Sequence, residues 1–128
     1  MSAENAPKTI TVMIVDDEAF FRKLLHDILT EGGMSVVAEA GDGREAVEQF
    51  RHHRPDVILM DIYMAEMSGI DATREIISVD SNAHIFICSG VGFDQDLDAA
   101  LQAGAQGVIY KPFYAEEVLD TIRRAVSI

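Results

Sequence analysis

The chain has 128 residues, 48% of them hydrophobic, which is enough for one domain with a buried core. Its net charge of −12 comes from 22 acidic against 10 basic side chains. Such a surface repels nucleic-acid phosphates, so we expect no direct binding to DNA or RNA. No apolar run approaches the roughly 18 to 20 residues of a membrane span, and residues 1–9 lack the apolar centre of a signal peptide. We therefore expect a cytoplasmic protein with no membrane insertion.

Five apolar segments alternate along the chain with five segments of helical periodicity. The apolar segments predict strands at residues 10–15, 34–40, 57–61, 84–88 and 107–110. The helical segments predict helices at residues 18–30, 44–53, 69 to the turn at 81–82, 94–103 and 116–127. This alternation predicts one α/β domain, residues 10–128, with a doubly wound five-stranded parallel sheet. Residues 1–9 are polar and predict a loose tail.

The first predicted helix has a clear apolar periodicity. Glu18 at its start is interpreted as a first-turn helix acid rather than a metal ligand. The predicted buried face of the first helix consists of Phe20, Leu24, Leu25, Ile28 and Leu29.

The chain has a single cysteine, Cys88, which rules out an internal disulfide. Because Cys88 lies in an apolar strand, we predict that it is a small buried core residue.

Polar side chains stand where four of the predicted strands end. Asp16 and Asp17 follow the first strand, and Asp61 ends the third, which is apolar without alternation and so predicts burial on both faces. Ser89 follows the fourth strand and Lys111 the fifth. In open α/β sheets, ligands bind at the carboxyl ends of the strands, so we expect these side chains to converge there.

The chemistry of this set favours a metal-assisted phosphoryl transfer. Three carboxylates beside one ammonium leave an excess of negative charge, which a hard divalent cation such as Mg²⁺ resolves. Asp61 would attack phosphorus as a nucleophile, Lys111 would offset charge on the phosphoryl oxygens, and Ser89 would donate a hydrogen bond. The sequence contains no G-x-x-x-x-G-K-[ST] loop for ATP, so we expect the phosphoryl group to arrive on another molecule.

Four motifs together resemble the receiver domains of two-component response regulators: IVDDE, ILMDIYM followed by SG, ICSG and YKPF. The resemblance covers residues 10–126 and implies the strand order 2-1-3-4-5, which is known for CheY-like and flavodoxin-like folds. It also implies a cis peptide bond between Lys111 and Pro112.

The resemblance implies a role for each site residue. Asp61 would accept a phosphoryl group from a phosphohistidine of a sensor histidine kinase, Ser89 would be the switch hydroxyl, and Lys111 would pair with the phosphoryl group. The metal, Mg²⁺ or alternatively Mn²⁺, would be held by Asp16, Asp17, Asp61 and the backbone carbonyl of Tyr63.

The chain departs from the family pattern at four positions. Ala65 stands where the family has proline, which predicts a looser loop over residues 63–68. Val108 stands where an aromatic switch residue is expected, so a rotating ring is not predicted. Tyr63 and Val91 flank the phosphoryl position, and we hypothesise that they restrict hydrolysis because neither orients water well.

The leading interpretation is a stand-alone receiver that signals through altered protein contacts, in chemotaxis, and that is not an enzyme beyond catalysing its own phosphorylation and dephosphorylation. Its target would bind the face formed by the fourth helix, fifth strand and fifth helix. The residues assigned to that face are Leu97, Ala100, Gln102, Tyr110, Phe113 and Glu117.

Four alternatives stay open at this point. The chain is a phosphorelay intermediate, a Mg²⁺-dependent phosphatase with an aspartyl nucleophile, a phosphorylation-independent binding module, or a fragment of a longer regulator. The phosphatase requires a second acid two residues after the nucleophile, where this chain has Tyr63.

Overall fold

The computed structural model describes residues 8–90 and 96–126, and within these ranges strands and helices alternate strictly. The strands are β1 (Thr11–Val15), β2 (Ser35–Ala40), β3 (Val57–Asp61), β4 (His84–Gly90) and β5 (Gly107–Lys111). The helices are α1 (Ala19–Glu31), α2 (Gly43–His53), α3 (Gly69–Val79), α4 (Leu97–Ala103) and α5 (Ala115–Val126). All ten elements match predicted ones, with boundaries that differ by a few residues. Three sequence expectations reach outside the described residues: most of the tail, the start of α4 at 94, and the end of α5 at 127.

The five strands form one sheet in the order β2-β1-β3-β4-β5, and every neighbouring pair is parallel. This confirms the predicted doubly wound α/β fold. All five residues of β3 are buried, as expected for a central strand covered by helices on both faces. No helix within residues 8–90 and 96–126 is long and apolar enough to cross a membrane.

The sheet separates two apolar layers because successive strand side chains point to opposite faces. In β1 and β3, Met13 and Ile58 point into one layer, whereas Ile14 and Leu59 point into the other. The first layer is closed by α2, α3 and α4, and the second by α1 and α5. Cys88 lies buried in the second layer, as predicted.

Local capping explains where several helices begin. The Asp42 carboxylate accepts the Glu45 N–H at 2.8 Å, and Ser68 Oγ accepts the Asp71 N–H at 3.2 Å. Glu18 has an extended backbone, so α1 begins one residue later than predicted. Strands β4 and β5 continue past their predicted ends because their pairing runs on to the last residue of each.

The predicted buried face of α1 is wrong at one position. Phe20 is 71% exposed, whereas Leu25, Ile28 and Leu29 are buried. Successive side chains of a helix are about 100° apart, and Phe21, rather than Phe20, stands three and four residues before Leu24 and Leu25. The next residue, Phe21, is the one that packs into the layer between α1 and α5.

Candidate functional site

The carboxyl ends of four strands bring the predicted site residues to one edge of the sheet. Asp16 directly follows β1, with Asp17 next, and Asp61 ends the neighbouring strand β3. Ser89 is the second-last residue of β4, and Lys111 ends β5. The strand register runs evenly from β1 through β3 and β4 to β5, so these ends lie side by side.

Lys111 connects two of the acids. Its Nζ lies 3.2 Å from Asp16 Oδ2 and 3.9 Å from Asp61 Oδ1, and its side chain is only 16% exposed. Because the ammonium is largely shielded from water, its attraction to both carboxylates is stronger than that of a surface pair. The peptide bond after Lys111 is cis, as the resemblance implied.

Asp61 is a buried carboxylate that resists ionisation. Its pKa is raised from an ordinary value of 3.8 to about 6, first by burial and second by the negative charge of Asp16. Lys111 lowers the pKa, but not enough to offset these effects, while Asp17 adds a smaller increase. The Ile62 N–H donates to Asp61 Oδ1 at 3.0 Å and also favours the charged form.

A compact acidic group lies beside Asp61. Asp16, Asp17 and Glu18 each place a carboxylate oxygen within 4.8 Å of the others. Asp16 is buried, and its Oδ1 accepts the Glu18 N–H at 2.9 Å. Its Oδ2 accepts no hydrogen bond from the described residues and lies 3.2 Å from the Lys111 ammonium. Hard oxygen ligands with one unsatisfied buried atom fit a divalent cation such as Mg²⁺.

This group differs from the metal set predicted from the sequence. Glu18 is close enough to join Asp16 and Asp17, although it was interpreted as a helix acid. Asp61 is not within the same compact group among the described residues.

The described chain matches the model of the response regulator receiver domain over residues 12–123. It belongs to the response regulator receiver family. Among curated relatives it is similar to the chemotaxis protein CheY of Bacillus subtilis, 46% identical over 91% of this chain and 97% of that protein. It is equally similar, at 46% identity, to CheY of Thermotoga maritima, over 88% of this chain and 94% of that protein.

A solved structure supports the same assignment. A chain of the CheX–CheY–BeF3–Mg²⁺ complex from Borrelia burgdorferi aligns with a TM-score of 0.87 and 33% identity, over 93% of this chain and 90% of that chain. The predicted receiver domain and its flavodoxin-like strand order are confirmed.

Two residues of this receiver have partners that the sequence did not predict. Ser89 is buried, and its hydroxyl donates only a long bond, 3.3 Å, to the Gly90 carbonyl. Tyr63 is 48% exposed, and its hydroxyl donates to the carboxylate of Asp96, just before α4. The Tyr63 side chain therefore bridges the loop after Asp61 and the start of α4.

The loop between β3 and α3 is tied at three points. The Gly69 N–H donates to the Ile62 carbonyl at 2.8 Å, and the Gly43 N–H donates to the Met67 carbonyl at 3.1 Å. Within the loop, the Met67 N–H donates to the Ala65 carbonyl at 2.7 Å. The looser loop expected from Ala65 stays a prediction, and these bonds are what would oppose it.

Val108 and Val91 are the other two departures from the family pattern. Val108 is partly buried against the layer closed by α2, α3 and α4. Tyr110, two residues later, is 39% exposed on β5. Val91 lies outside the described residues.

The predicted target-binding face is wrong at three positions. Leu97, Ala100 and Phe113 are buried, the first two beneath α4 and the third against α1 and α5. Their apolar character reflects the core of the domain rather than a binding surface. Of the predicted residues, Gln102, Tyr110 and Glu117 are exposed, and Leu101 on α4 and Tyr114 just before α5 are further large apolar side chains that are exposed there.

Proposed function

We propose that Asp61 accepts a phosphoryl group from a phosphohistidine of a sensor histidine kinase, in a Mg²⁺-dependent step. The observation that carries this proposal is the placement of a buried carboxylate, with its pKa raised to about 6, within 3.9 Å of the Lys111 ammonium. Perturbed acids beside a fixed cation are typical of functional sites.

The two oxygens of Asp61 have different surroundings. Oδ1 accepts the Ile62 N–H and faces Lys111, whereas Oδ2 has no hydrogen bond or ion pair with any described residue. Oδ2 is therefore the nucleophile: it forms the new P–O bond as the P–N bond to the histidine breaks. The departing imidazole keeps the electron pair of that bond and takes a proton from solvent. Lys111 is held close enough to pair with the phosphoryl oxygens.

The acidic residues at this edge supply the metal ligands. Asp16 and Asp17 would hold Mg²⁺ together with Asp61 and the Tyr63 carbonyl. A bound Mg²⁺ would supply positive charge that offsets the charge of the phosphoryl oxygens. The homologous complex of CheX and CheY from Borrelia burgdorferi holds BeF3 and Mg²⁺, which supports the same metal for this chain.

Phosphorylation changes the contacts of the chain with a target protein. The two relatives of highest identity described above are chemotaxis proteins, which supports a chemotactic role in the cytoplasm. The target would bind the exposed residues of α4, β5 and α5, where Tyr110, Tyr114 and Leu101 are large and accessible. The chain catalyses only its own phosphorylation and dephosphorylation.

Intact mass spectrometry after incubation with acetyl phosphate and Mg²⁺ tests the proposal. We expect a gain of one phosphoryl group in the wild type and in the control Asp120→Asn, which removes an exposed acid of α5. We expect no gain in Asp61→Asn. A phosphorylated Asp61→Asn protein would contradict the assignment, and multiple turnover of an added phosphoester would identify a phosphatase instead.

A further inference from the structure

The Lys111 ammonium has a third neighbour besides its two carboxylates. Nζ lies 4.1 Å from the centroid of the Phe21 ring, within the distance at which a cation is attracted to an aromatic face. Phe21 belongs to α1, whereas Lys111 ends β5. The contact therefore joins two elements that are 90 residues apart in the chain.

The Phe21 ring is itself held in place. It makes an edge contact with Phe113, with centroids 5.9 Å apart and ring planes at 89°. It also meets Phe20 edge-on, at 5.4 Å and 76°. Phe113 is buried, so the ring beneath the ammonium is packed against the core on one side and has little freedom to turn.

The three contacts of the ammonium are unequal. Asp16 is the nearer carboxylate, at 3.2 Å, and Asp61 is at 3.9 Å. A lysine has a flexible four-carbon side chain and a compact charge, so carboxylates alone leave its position loosely defined. A fixed aromatic face beneath the ammonium restricts it to the space between Asp16 and Asp61.

We propose that Phe21 is a positioning residue, which holds the Lys111 ammonium at the place where it meets the phosphoryl group on Asp61. This rests on the proposed function for the role of Lys111. Phe21 touches no reacting atom and acts only through the lysine. Its loss would leave the metal ligands intact and affect phosphoryl transfer.

The placement of the ring is tested without any phosphorylation. In the proton NMR spectrum, we expect the ring current of Phe21 to shift the Cε protons of Lys111 upfield. Their signal is assigned by its disappearance in Lys111→Arg. We expect Phe21→Leu to move this signal to the position of an ordinary lysine. Phe20→Leu, the matched control, removes a mostly exposed ring that meets Phe21 edge-on but leaves the Phe21 ring and its contact with Phe113 in place, so the signal should stay upfield. An unmoved signal in Phe21→Leu would overturn the proposal.

The functional consequence is tested by phosphorylation kinetics with acetyl phosphate at saturating Mg²⁺. We expect Phe21→Leu to lower the rate about tenfold, the size of a shielded cation–π contact, with an unchanged dissociation constant for Mg²⁺. Phe21→Tyr keeps the ring and should restore the rate, whereas general damage to packing would not be rescued in this way. A wild-type rate in Phe21→Leu, or no rescue by Phe21→Tyr, would overturn the proposal.

Failure of the proposed function is distinguishable from failure of this inference. If the wild type gains no phosphoryl group, the proposed role of Asp61 is wrong. The NMR signal of Lys111 still reports whether Phe21 holds the ammonium.

Discussion

The Lys111 ammonium lies 3.9 Å from Asp61 Oδ1, although their strands, β5 and β3, are separated by β4. The lysine reaches across the end of the intervening strand to a carboxylate whose pKa nevertheless stays raised, because burial and the neighbouring Asp16 outweigh the attraction. One cation therefore does not neutralise this edge of the sheet. The remaining negative charge is what the proposed Mg²⁺ would offset.

The raised pKa of Asp61 predicts a pH-dependent stability. The folded protein binds the Asp61 proton more tightly than the unfolded chain, whose carboxyl has a pKa near 3.8. As pH rises from about 4 to 6, the unfolded state loses this proton first, so the contribution of Asp61 to the free energy of unfolding falls. Above that window the carboxylate destabilises the fold, and an amide at this position does not.

We therefore expect Asp61→Asn to be more stable than the wild type at pH 7 without Mg²⁺, by about 1–2 kcal/mol once local relaxation and solvent reduce the full effect. The advantage should shrink towards pH 4. Urea unfolding from pH 4 to 7.5 in the presence of a chelator measures the difference in the free energy of unfolding and its change with pH. Asp120→Asn, an exposed acid, should follow the wild type. An advantage of Asp61→Asn that does not change with pH would contradict the pKa as its cause.

The strand ends were predictable because an apolar run that stops at a charge marks the edge of a buried sheet. Asp16, Asp61 and Lys111 all follow this rule, and the parallel order then places them together. The local pattern shows which residues leave the core, and the topology shows that they leave it at one edge.

The contacts of α1 were only partly predictable. Phe21 stands three, four and seven residues before Leu24, Leu25 and Ile28, so the helical spacing favours Phe21 over Phe20 as the inward side chain, and the structure places Phe21 inward and Phe20 outward. The contact between Phe21 and Lys111 depends on the relative placement of α1 and β5, which no local pattern reports. Leu97 and Ala100 were misassigned to the surface for a similar reason, because only the tertiary structure shows that α4 turns them into the layer that it closes with α2 and α3.

Mg²⁺ should stabilise the fold through Asp17. This residue is exposed, belongs to the compact acidic group, and has no other structural role that its described contacts reveal. At a Mg²⁺ concentration of 100 times the dissociation constant, we expect a gain of about 2.7 kcal/mol, seen as a rise in melting temperature. Asp17→Asn should lose most of this gain.

Glu18→Gln tests whether Glu18 binds the metal together with Asp16 and Asp17. If Glu18 is a helix acid, as the sequence indicates, this variant should keep the Mg²⁺ response of the wild type. A loss as large as that of Asp17→Asn would instead place Glu18 among the ligands. An Asp17→Asn protein with a full Mg²⁺ response would rule out a metal site in this acidic group.

Gly69 is required because the chain passes very close to the site strand. A Cβ at position 69 would lie 1.9 Å from the Asp61 carbonyl oxygen, which is backbone and cannot swing away. We expect Gly69→Ala to destabilise the protein by about 3 kcal/mol, although alanine is the better helix former at the start of α3. Gly41→Ala is the matched control, since its Cβ would meet only Arg22 at an ordinary 3.8 Å. Urea unfolding compares the two, and equal stabilities would show that the loop shifts freely.

Tyr63 should lengthen the life of the phosphorylated state. It follows Asp61 by two residues, where the resemblance to the family implies a side chain that flanks the phosphoryl group, and its hydroxyl bonds to Asp96 before α4. The ring limits the approach of water, whereas an asparagine there would help to orient an attacking water. We therefore expect Tyr63→Asn to release phosphate about tenfold faster after the phosphodonor is removed. Tyr63→Phe loses the bond to Asp96 but keeps the ring, so its decay should resemble the wild type. If Tyr63→Asn decays at the wild-type rate, the ring does not protect the phosphoryl group; if Tyr63→Phe decays as fast as Tyr63→Asn, the bond to Asp96, rather than the ring alone, provides the protection.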